Sequence, residues 1–187
     1  SEEQQIFRTL VVPLDGSATA ESALGYAVEL ASSSTAAPLK VRLISVIPSA
    51  PSMVSPEGYP WDPDMQLSKE RAVEAYLAGK KNDLLSLGID VDCRVSTGSV
   101  CDEICRFAES DPASVIVMST HGRSGIRRFL LGSVAEKVMQ RARVPLMVAR
   151  SNVDSNEGPP QGEHDFSVES HQDIMRLAIL QQLRSDY

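Results

Sequence analysis

The sequence predicts an α/β fold in which an open, doubly wound sheet of five parallel strands carries helices on both faces. Short apolar runs alternate with segments whose apolar residues recur at helical spacing, and this alternation implies parallel strands joined by right-handed crossovers. The run Val115–Met118 is apolar at every position, which is typical of a strand buried on both faces. A chain of 187 residues is long enough to build one domain with a sizeable core.

The first strand and helix are predicted at the start of this domain. Leu10–Leu14 is the first strand, Ser17 can cap the next helix, and Glu21 is placed to support the cap. The buried face of that helix is marked by Ala20, Ala23, Leu24, Ala27, Leu30 and Ala31. Val41–Ile47 is the second strand.

A proline-rich stretch and a long helix separate the second and third strands. Residues 48–63 contain five prolines, which exclude regular ladder structure, and the aromatic residues there suit a lid, a dimer contact or packing on the sheet. The helix Asp64–Leu87 follows, and Gly88 can end it. Its apolar stripe consists of Val73, Tyr76, Leu77, Leu84 and Leu87. Ile89–Val95 is the third strand.

The remaining elements complete the sheet. Ser99 and Asp102 have the spacing of a capping box for a helix that runs through Ser110. The fourth strand is Val115–Met118, and the last is Pro145–Ala149.

The segment between the last two strands is suited to bind phosphate. Gly122 lies where a backbone can approach a ligand closely, and Gly132 with Ser133 opens a further helix. A helix N-terminus presents free N–H groups and the positive end of a dipole to an anion, and the Ser133 hydroxyl can cap the helix or bind a phosphate oxygen. The apolar residues of this helix are Val134, Ala135, Val138 and Met139. The loop also carries three arginines, Arg123, Arg127 and Arg128. They are either solvated surface charges or they contribute electrostatically to anion binding, and Arg123 is the nearest of them to Gly122 in the sequence.

This segment resembles the ATP-binding signature of the universal stress protein family, Gly-x2-Gly-x9-Gly-Ser/Thr. On this chain the signature falls on Ser119, Gly122, Gly132 and Ser133, so a serine stands at the position of the first glycine. The similarity covers residues 8–150 and includes VVPLD, RLISVI and TGSV, which begin at positions 11, 42 and 97. It implies a Rossmann-like sheet of strand order 3-2-1-4-5, with the ligand crevice at the carboxyl ends of strands one and four.

The resemblance also implies particular ligand contacts. Asp15 would contact adenine or ribose, although an Asx turn or a helix cap explains it equally well. Val46 would line the adenine slot, although it is also an ordinary strand residue, and Met118 and His121 would lie near ribose or phosphate. The predicted cofactor site is Pro13, Leu14, Asp15, Val46, Met118, Ser119, His121, Gly122, Arg123, Gly132, Ser133, Val134 and Ala135.

The predicted function is ATP-dependent sensing or regulation in the stress response, with Mg²⁺ or Mn²⁺ held mainly by the phosphates. The family further implies a homodimer paired through Pro145–Ala149, and the protein partner is unknown. No catalytic constellation is recognisable, so hydrolysis is expected to be weak at most. Two alternatives stay open: an interaction module of the same fold that has lost nucleotide, favoured by Ser119, and a slow ATPase or other nucleotide-using enzyme. Neither a dinucleotide-binding Gly-x-Gly-x-x-Gly nor a P-loop follows the first strand.

The composition of the chain argues against some classes of partner and suggests a cellular compartment. A net charge of −7 and a pI of about 5.0 argue against general binding of nucleic acid or anionic membranes. The sequence shows no apolar run of membrane-spanning length and no signal-peptide character at its start, and its three cysteines suit a reducing cytoplasm. Cys101 and Cys105 lie one helical turn apart and are expected to be buried helix residues rather than zinc ligands.

We predict a nucleotide-binding domain at residues 6–150, a linker at 151–163 and a C-terminal extension at 164–187. The linker contains SNEGPPQG, a composition typical of a flexible connection. In the extension, Ser170 and Asp173 precede an amphipathic helix that is expected to dock on another surface, with apolar residues Ile174, Leu177, Leu180 and Leu183.

Overall fold

The computed structural model describes residues 7–34, 37–49, 63–121 and 132–151. In chain order the elements are β1 (Thr9–Pro13), α1 (Ala18–Ser33), β2 (Lys40–Pro48), α2 (Pro63–Ser86), β3 (Val91–Gly98), α3 (Val100–Glu109), β4 (Ser114–His121), α4 (Ser133–Arg141) and β5 (Leu146–Ser151). The strands form one parallel sheet of order β3-β2-β1-β4-β5. The predicted fold class and strand order are therefore confirmed.

The strand order reverses at β1, which pairs with β2 on one side and with β4 on the other. Thr9 lies opposite Lys40 of β2 and opposite Ser114 of β4. The chain leaves β1 toward β2 and β3, and then returns across the sheet to β4 and β5. Such a reversal opens a crevice at the carboxyl ends of the two strands that flank it, here β1 and β4.

Two apolar clusters, one on each face of the sheet, form the core. Because successive strand residues point to opposite faces, Leu10 and Val12 of β1 pack with α1 and α2, whereas Val11 packs with α3 and α4. In β4, Ile116 belongs to the same cluster as Val11. This burial on both faces explains why the strands are almost continuously apolar.

The fourth and fifth strands extend beyond their predicted ends. β4 continues for three residues past the apolar run because its backbone stays paired with β5, as far as His121 opposite Ser151. Backbone pairing does not depend on apolar side chains, so hydrophobicity alone places the end of the strand too early. The strand β5 begins at Leu146, and the carbonyl of Pro145 accepts the N–H of Ile116 at 2.9 Å.

Of the caps predicted for α1 and α3, the first forms as expected. The hydroxyl of Ser17 accepts the N–H of Ala20 at 3.2 Å, which confirms the cap of α1. The supporting role predicted for Glu21 is wrong, because its carboxylate instead accepts a hydrogen bond from Tyr76 of α2. At α3, Ser99 occupies the N-cap position, but its side chain makes no cap hydrogen bond among the described residues.

Asp102 and Leu87 also depart from their predicted roles, the first through a tertiary contact and the second through the local end of its helix. Asp102 forms an ion pair with Arg141 of α4, and a hydrogen bond with Ser99 is the largest cause of its lowered pKa. Leu87 was predicted on the buried stripe of α2 but is 61% exposed. The helix ends at Ser86, and Gly88 turns the chain at a φ of +76°, so Leu87 leaves the helical face before it can be buried.

Several predictions lie outside the described residues. They concern positions 50–62 of the proline-rich stretch, the glycine and arginines at 122–131, and the linker and extension at 152–187. Within the described part of the chain, none of the helices is both long enough and apolar enough to span a bilayer.

Candidate functional site

A cleft of about 270 Å³ lies at the carboxyl ends of β1 and β4. It runs between the N-terminus of α1 and the N-terminus of α4, at the point where the strand order reverses. Ten of the predicted site residues line it, namely Pro13, Leu14, Asp15, Val46, Met118, Ser119, Gly132, Ser133, Val134 and Ala135. Gly122 and Arg123 lie outside the described residues, and His121 is the last residue of β4. The residues predicted from the sequence and the point where the strand order reverses thus coincide at this cleft.

Seven further lining residues were not predicted. They are Ser17, Thr19, Ala20, Ala23, Ile44, Val100 and Ile104. The first four belong to the turn after β1 and to α1, which directly follow the predicted run VVPLD in the sequence. Val100 lies in the TGSV segment, whereas no local pattern distinguishes Ile104 from an ordinary core isoleucine.

The turn between β1 and α1 is fixed by its own hydrogen bonds. Asp15 Oδ1 accepts the backbone N–H of Ser17 at 2.9 Å, which is the Asx turn that sequence reasoning left as an alternative. The turn uses only one carboxylate oxygen of Asp15. Because Asp15 is exposed, its second carboxylate oxygen can still contact a ligand. Gly16 has a φ of +81°, a conformation that favours glycine.

The opposite wall of the cleft is apolar. It is formed by Ile44 and Val46 of β2, Val100 and Ile104 of α3, and Met118 of β4. Ile104 is only 1% exposed and belongs to the core cluster beneath this wall. A mostly apolar wall faced by a few polar groups is the usual composition of a small-molecule site.

The two helix N-termini that face the cleft differ in how their N–H groups are satisfied. The N-terminus of α1 is occupied by the side chains of Ser17 and Asp15. At α4 the N-cap residue is Gly132, and no side chain of the described residues caps this end. Ser133 is therefore the first helical residue rather than the cap, which corrects one of its two predicted roles. Among the described residues, nothing occupies the first N–H groups of α4, and these groups together with the helix dipole favour an anion.

Ser119 presents a further polar group. It shares the sheet face of Val115 and Val117, against which α1 packs. Its Oγ is buried and makes no hydrogen bond to any described residue. A buried hydroxyl without a partner is unfavourable by about 1–3 kcal/mol, so a ligand that supplies the partner gains from meeting it.

Cys105, which lies behind the apolar wall, is not activated as a nucleophile. As predicted, Cys101 and Cys105 are buried, and all three cysteines are free. Burial, followed by the neighbouring Cys101, raises the pKa of Cys105 to about 12, so this thiol stays protonated at neutral pH. Within the described residues, no three histidine, cysteine, aspartate or glutamate side chains are grouped as metal ligands.

The comparisons with known proteins agree on one protein family. The family model described as the universal stress protein family matches residues 6–150. A universal stress protein of Methanocaldococcus jannaschii is 33% identical over 147 residues, which cover 79% of this chain and 84% of that protein.

Solved structures share the fold. A second protein of that organism aligns with a TM-score of 0.64 at 24% identity, covering 80% of this chain and 99% of the other. A universal stress protein solved in complex with cAMP aligns with a TM-score of 0.54 at 20% identity, covering 77% of this chain and 97% of the other. On the family match and the sequence identity to a full-length relative, this chain belongs to the universal stress protein family.

Proposed function

We propose that this chain binds ATP and acts as a nucleotide-dependent regulator rather than as an enzyme. The observation that carries the proposal is the N-terminus of α4, which no described side chain caps and which faces a cleft with an apolar wall. A nucleotide needs both features, because its phosphates require positive N–H donors and its base requires an apolar surface.

The two ends of the cleft differ in charge, and this difference sets the orientation of the proposed ligand. The proposed phosphates lie at Gly132 and Ser133, where no described side chain caps the helix, and not at α1, where the Asp15 carboxylate would repel them. The base lies against the wall that contains Val46 and Met118. The ribose then lies between them, near Asp15.

The comparisons support an adenine nucleotide as the ligand class. A structural neighbour has been solved with cAMP, which carries the adenine, ribose and phosphate that the proposed orientation accommodates. Membership of the universal stress protein family fits a regulatory role. The second candidate, an interaction module without nucleotide, is favoured by Ser119 in place of the family glycine.

A divalent cation fits this arrangement only as a partner of the phosphates. Mg²⁺ usually keeps several waters and is bound by one or two carboxylates together with substrate phosphates. Asp15 is the one carboxylate among the described residues that line the cleft. When bound, Mg²⁺ or Mn²⁺ would neutralise phosphate charge, and Asp15 is the lining carboxylate that could hold it.

We further propose a cytoplasmic homodimer paired through β5. This strand forms one edge of the sheet and leaves backbone groups available for pairing with a second copy. The sparse free cysteines favour a reducing compartment.

The function is tested by mass spectrometry of the ligand released from the purified native protein, followed by titration calorimetry with Mg·ATP. Release of ATP or ADP and saturable binding of ATP are the expected results. A protein that is purified empty and does not respond to ATP would favour the interaction module. Rapid turnover of bound ATP would instead favour the enzyme.

Ser119→Ala is expected to weaken ATP binding by about tenfold, because the ligand loses a hydrogen bond from a buried hydroxyl. The stability of the ligand-free protein should stay the same or rise, since the substitution removes an unpartnered polar group. Calorimetry and thermal melting measure the two effects separately.

Ser114→Ala is the matched control for this substitution. Ser114 lies on the same strand and also has a buried Oγ without a hydrogen-bond partner among the described residues, but it is at the opposite end from the cleft. Its replacement should leave ATP affinity unchanged. Equal affinities for both variants and the wild type would remove the Ser119 hydroxyl from the site.

A further inference from the structure

The hydroxyl of Ser45 in β2 makes a buried hydrogen bond to the chain at the point where β1 ends. Ser45 is 4% exposed, and its Oγ donates to the carbonyl oxygen of Leu14 at 2.6 Å. Leu14 is the first residue after β1, and it lines the cleft together with Val46, the next residue after Ser45. A buried side chain thus holds the backbone where the two strands separate.

The parallel ladder between β1 and β2 stops at this bond. Its last pair is Pro13 with Ile44, whereas β2 stays paired with β3 as far as Pro48 opposite Gly98. The backbone N–H of Leu14 still donates to the carbonyl of Ile44 at 2.8 Å. Beyond Ile44, the edge of β2 that faces β1 therefore has no strand partner among the described residues.

The alternation of the backbone shows which groups of β2 lie on this unpaired edge. The N–H of Lys40 donates to Arg8, on the side of β1, and the N–H of Val41 donates to Asp90, on the side of β3. The even-numbered residues of β2 hence direct both N–H and C=O toward β1, and Val46 is the first of them past the ladder. No backbone hydrogen bond joins Val46 to the described residues that follow β1.

The bond from Ser45 accounts for this open edge. The bond from Lys40 N–H to the Arg8 carbonyl, if repeated further along both strands (40 to 46 and 8 to 14), would join the Val46 N–H to the Leu14 carbonyl. That carbonyl instead accepts the hydroxyl of Ser45. Because side chains stand roughly perpendicular to a sheet, this bond draws the carbonyl out of the plane in which ladder bonds form.

We propose that Ser45 is a positioning residue for the base end of the cleft: by holding the Leu14 carbonyl, it keeps the N–H and C=O of Val46 open to the ligand. This inference rests on the proposed nucleotide site, in which the base lies against the wall that contains Val46. A few backbone N–H and C=O groups beside an apolar surface fix the orientation of a small ligand, and the edge of a nucleobase carries both donors and acceptors.

The test compares Mg·ATP and magnesium tripolyphosphate as ligands of the full chain carrying Ser45→Ala. Without the hydroxyl, the Leu14 carbonyl can accept the N–H of Val46, which extends the ladder and closes this edge to the base. The affinity for ATP should fall by about fivefold, the effect of one lost hydrogen bond. Tripolyphosphate has no base, so its affinity should stay within about twofold of the wild-type value, as calorimetry can measure.

Hydrogen exchange of the ligand-free protein gives a readout that a loss of stability would not produce. The amide of Val46 should exchange more slowly in Ser45→Ala than in the wild type, because it gains the Leu14 carbonyl as an acceptor. A protein that is merely destabilised would exchange faster.

Two further variants of Ser45 test the role of the hydroxyl itself. Ser45→Thr keeps the hydroxyl, so its ATP affinity and its exchange at Val46 should stay close to those of the wild type. Ser45→Cys has a weaker donor and should change both quantities in the same direction as alanine, and it replaces the alanine variant if that variant fails to fold.

Thr9→Val is the matched control at the other end of β1. The Thr9 hydroxyl is also buried on the sheet, and it donates to Asp111 Oδ2 at 2.7 Å. Thr9 does not line the cleft. Its replacement should lower the melting temperature and leave ATP affinity unchanged.

Three results would overturn the proposal. They are wild-type ATP affinity in Ser45→Ala, equal weakening of ATP and tripolyphosphate, and exchange at Val46 that stays the same or becomes faster. A wild-type protein that binds no ATP, with slower exchange at Val46 in Ser45→Ala, would show that Ser45 controls the strand edge as described but that the nucleotide site is wrong, and the positioning role would fall with that site.

Discussion

Gly132→Val is expected to lower ATP affinity by at least about 100-fold and to lower the melting temperature of the ligand-free protein only slightly, because valine is less favourable than glycine at an N-cap. The valine side chain would stand at the N-cap of α4 and block phosphate from the first N–H groups of the helix. Loss of two charge-assisted hydrogen bonds, each contributing about 1.5–3 kcal/mol, accounts for this magnitude. Titration calorimetry gives the affinity, and a thermal melt without ligand gives the stability.

The backbone at Gly132 makes this substitution a clean test. Its φ of −60° and ψ of 153° are ordinary for any residue, and an added Cβ would meet no described atom within 4 Å. A side chain at this position is therefore compatible with the backbone conformation of the described residues. Gly132→Ala should give an intermediate loss because its side chain is smaller. A folded Gly132→Val protein with wild-type affinity would refute phosphate binding at α4.

Ile104→Ala is expected to destabilise the protein by about 2–5 kcal/mol and also to weaken ATP binding. Ile104 is 1% exposed, so truncation leaves a cavity in the core cluster that packs against the sheet. The same side chain lines the cleft, and its loss removes part of the surface proposed to contact the base. Denaturant unfolding measures the first effect, and calorimetry measures the second.

Ile116→Ala separates these two effects. Ile116 is fully buried in the same cluster but does not line the cleft, so its replacement should cost a similar free energy of unfolding and leave ATP affinity unchanged. The corresponding valine variants, which usually cost about 0.5–1.5 kcal/mol, serve if either alanine variant fails to fold. Equal losses of affinity in the two variants would mean that the loss follows from destabilisation and not from contact with the ligand.

Local patterns in the sequence were sufficient to predict the strands, the helices and several of the residues that line one end of the cleft. Apolar runs such as Val115–Met118 identified strands because burial on both faces requires hydrophobic residues throughout. The family spacing that ends at Gly132 and Ser133 located the N-terminus of α4, and both residues line the cleft. These features lie within short segments, so a pattern along the chain can reveal them.

Contacts between distant segments were decided by the tertiary structure. Glu21 lies in a favourable position for a local cap, yet it pairs with Tyr76 and Lys80, which are far along the chain, because α1 and α2 pack on the same face of the sheet. Ile104 enters the cleft only because α3 packs across β2 and β4. Ser119 looked like a small replacement for glycine, and only the fold shows that its hydroxyl is buried beside the cleft without a partner among the described residues. Hydrogen-bond partners and burial depend on three-dimensional neighbours, which sequence spacing does not encode.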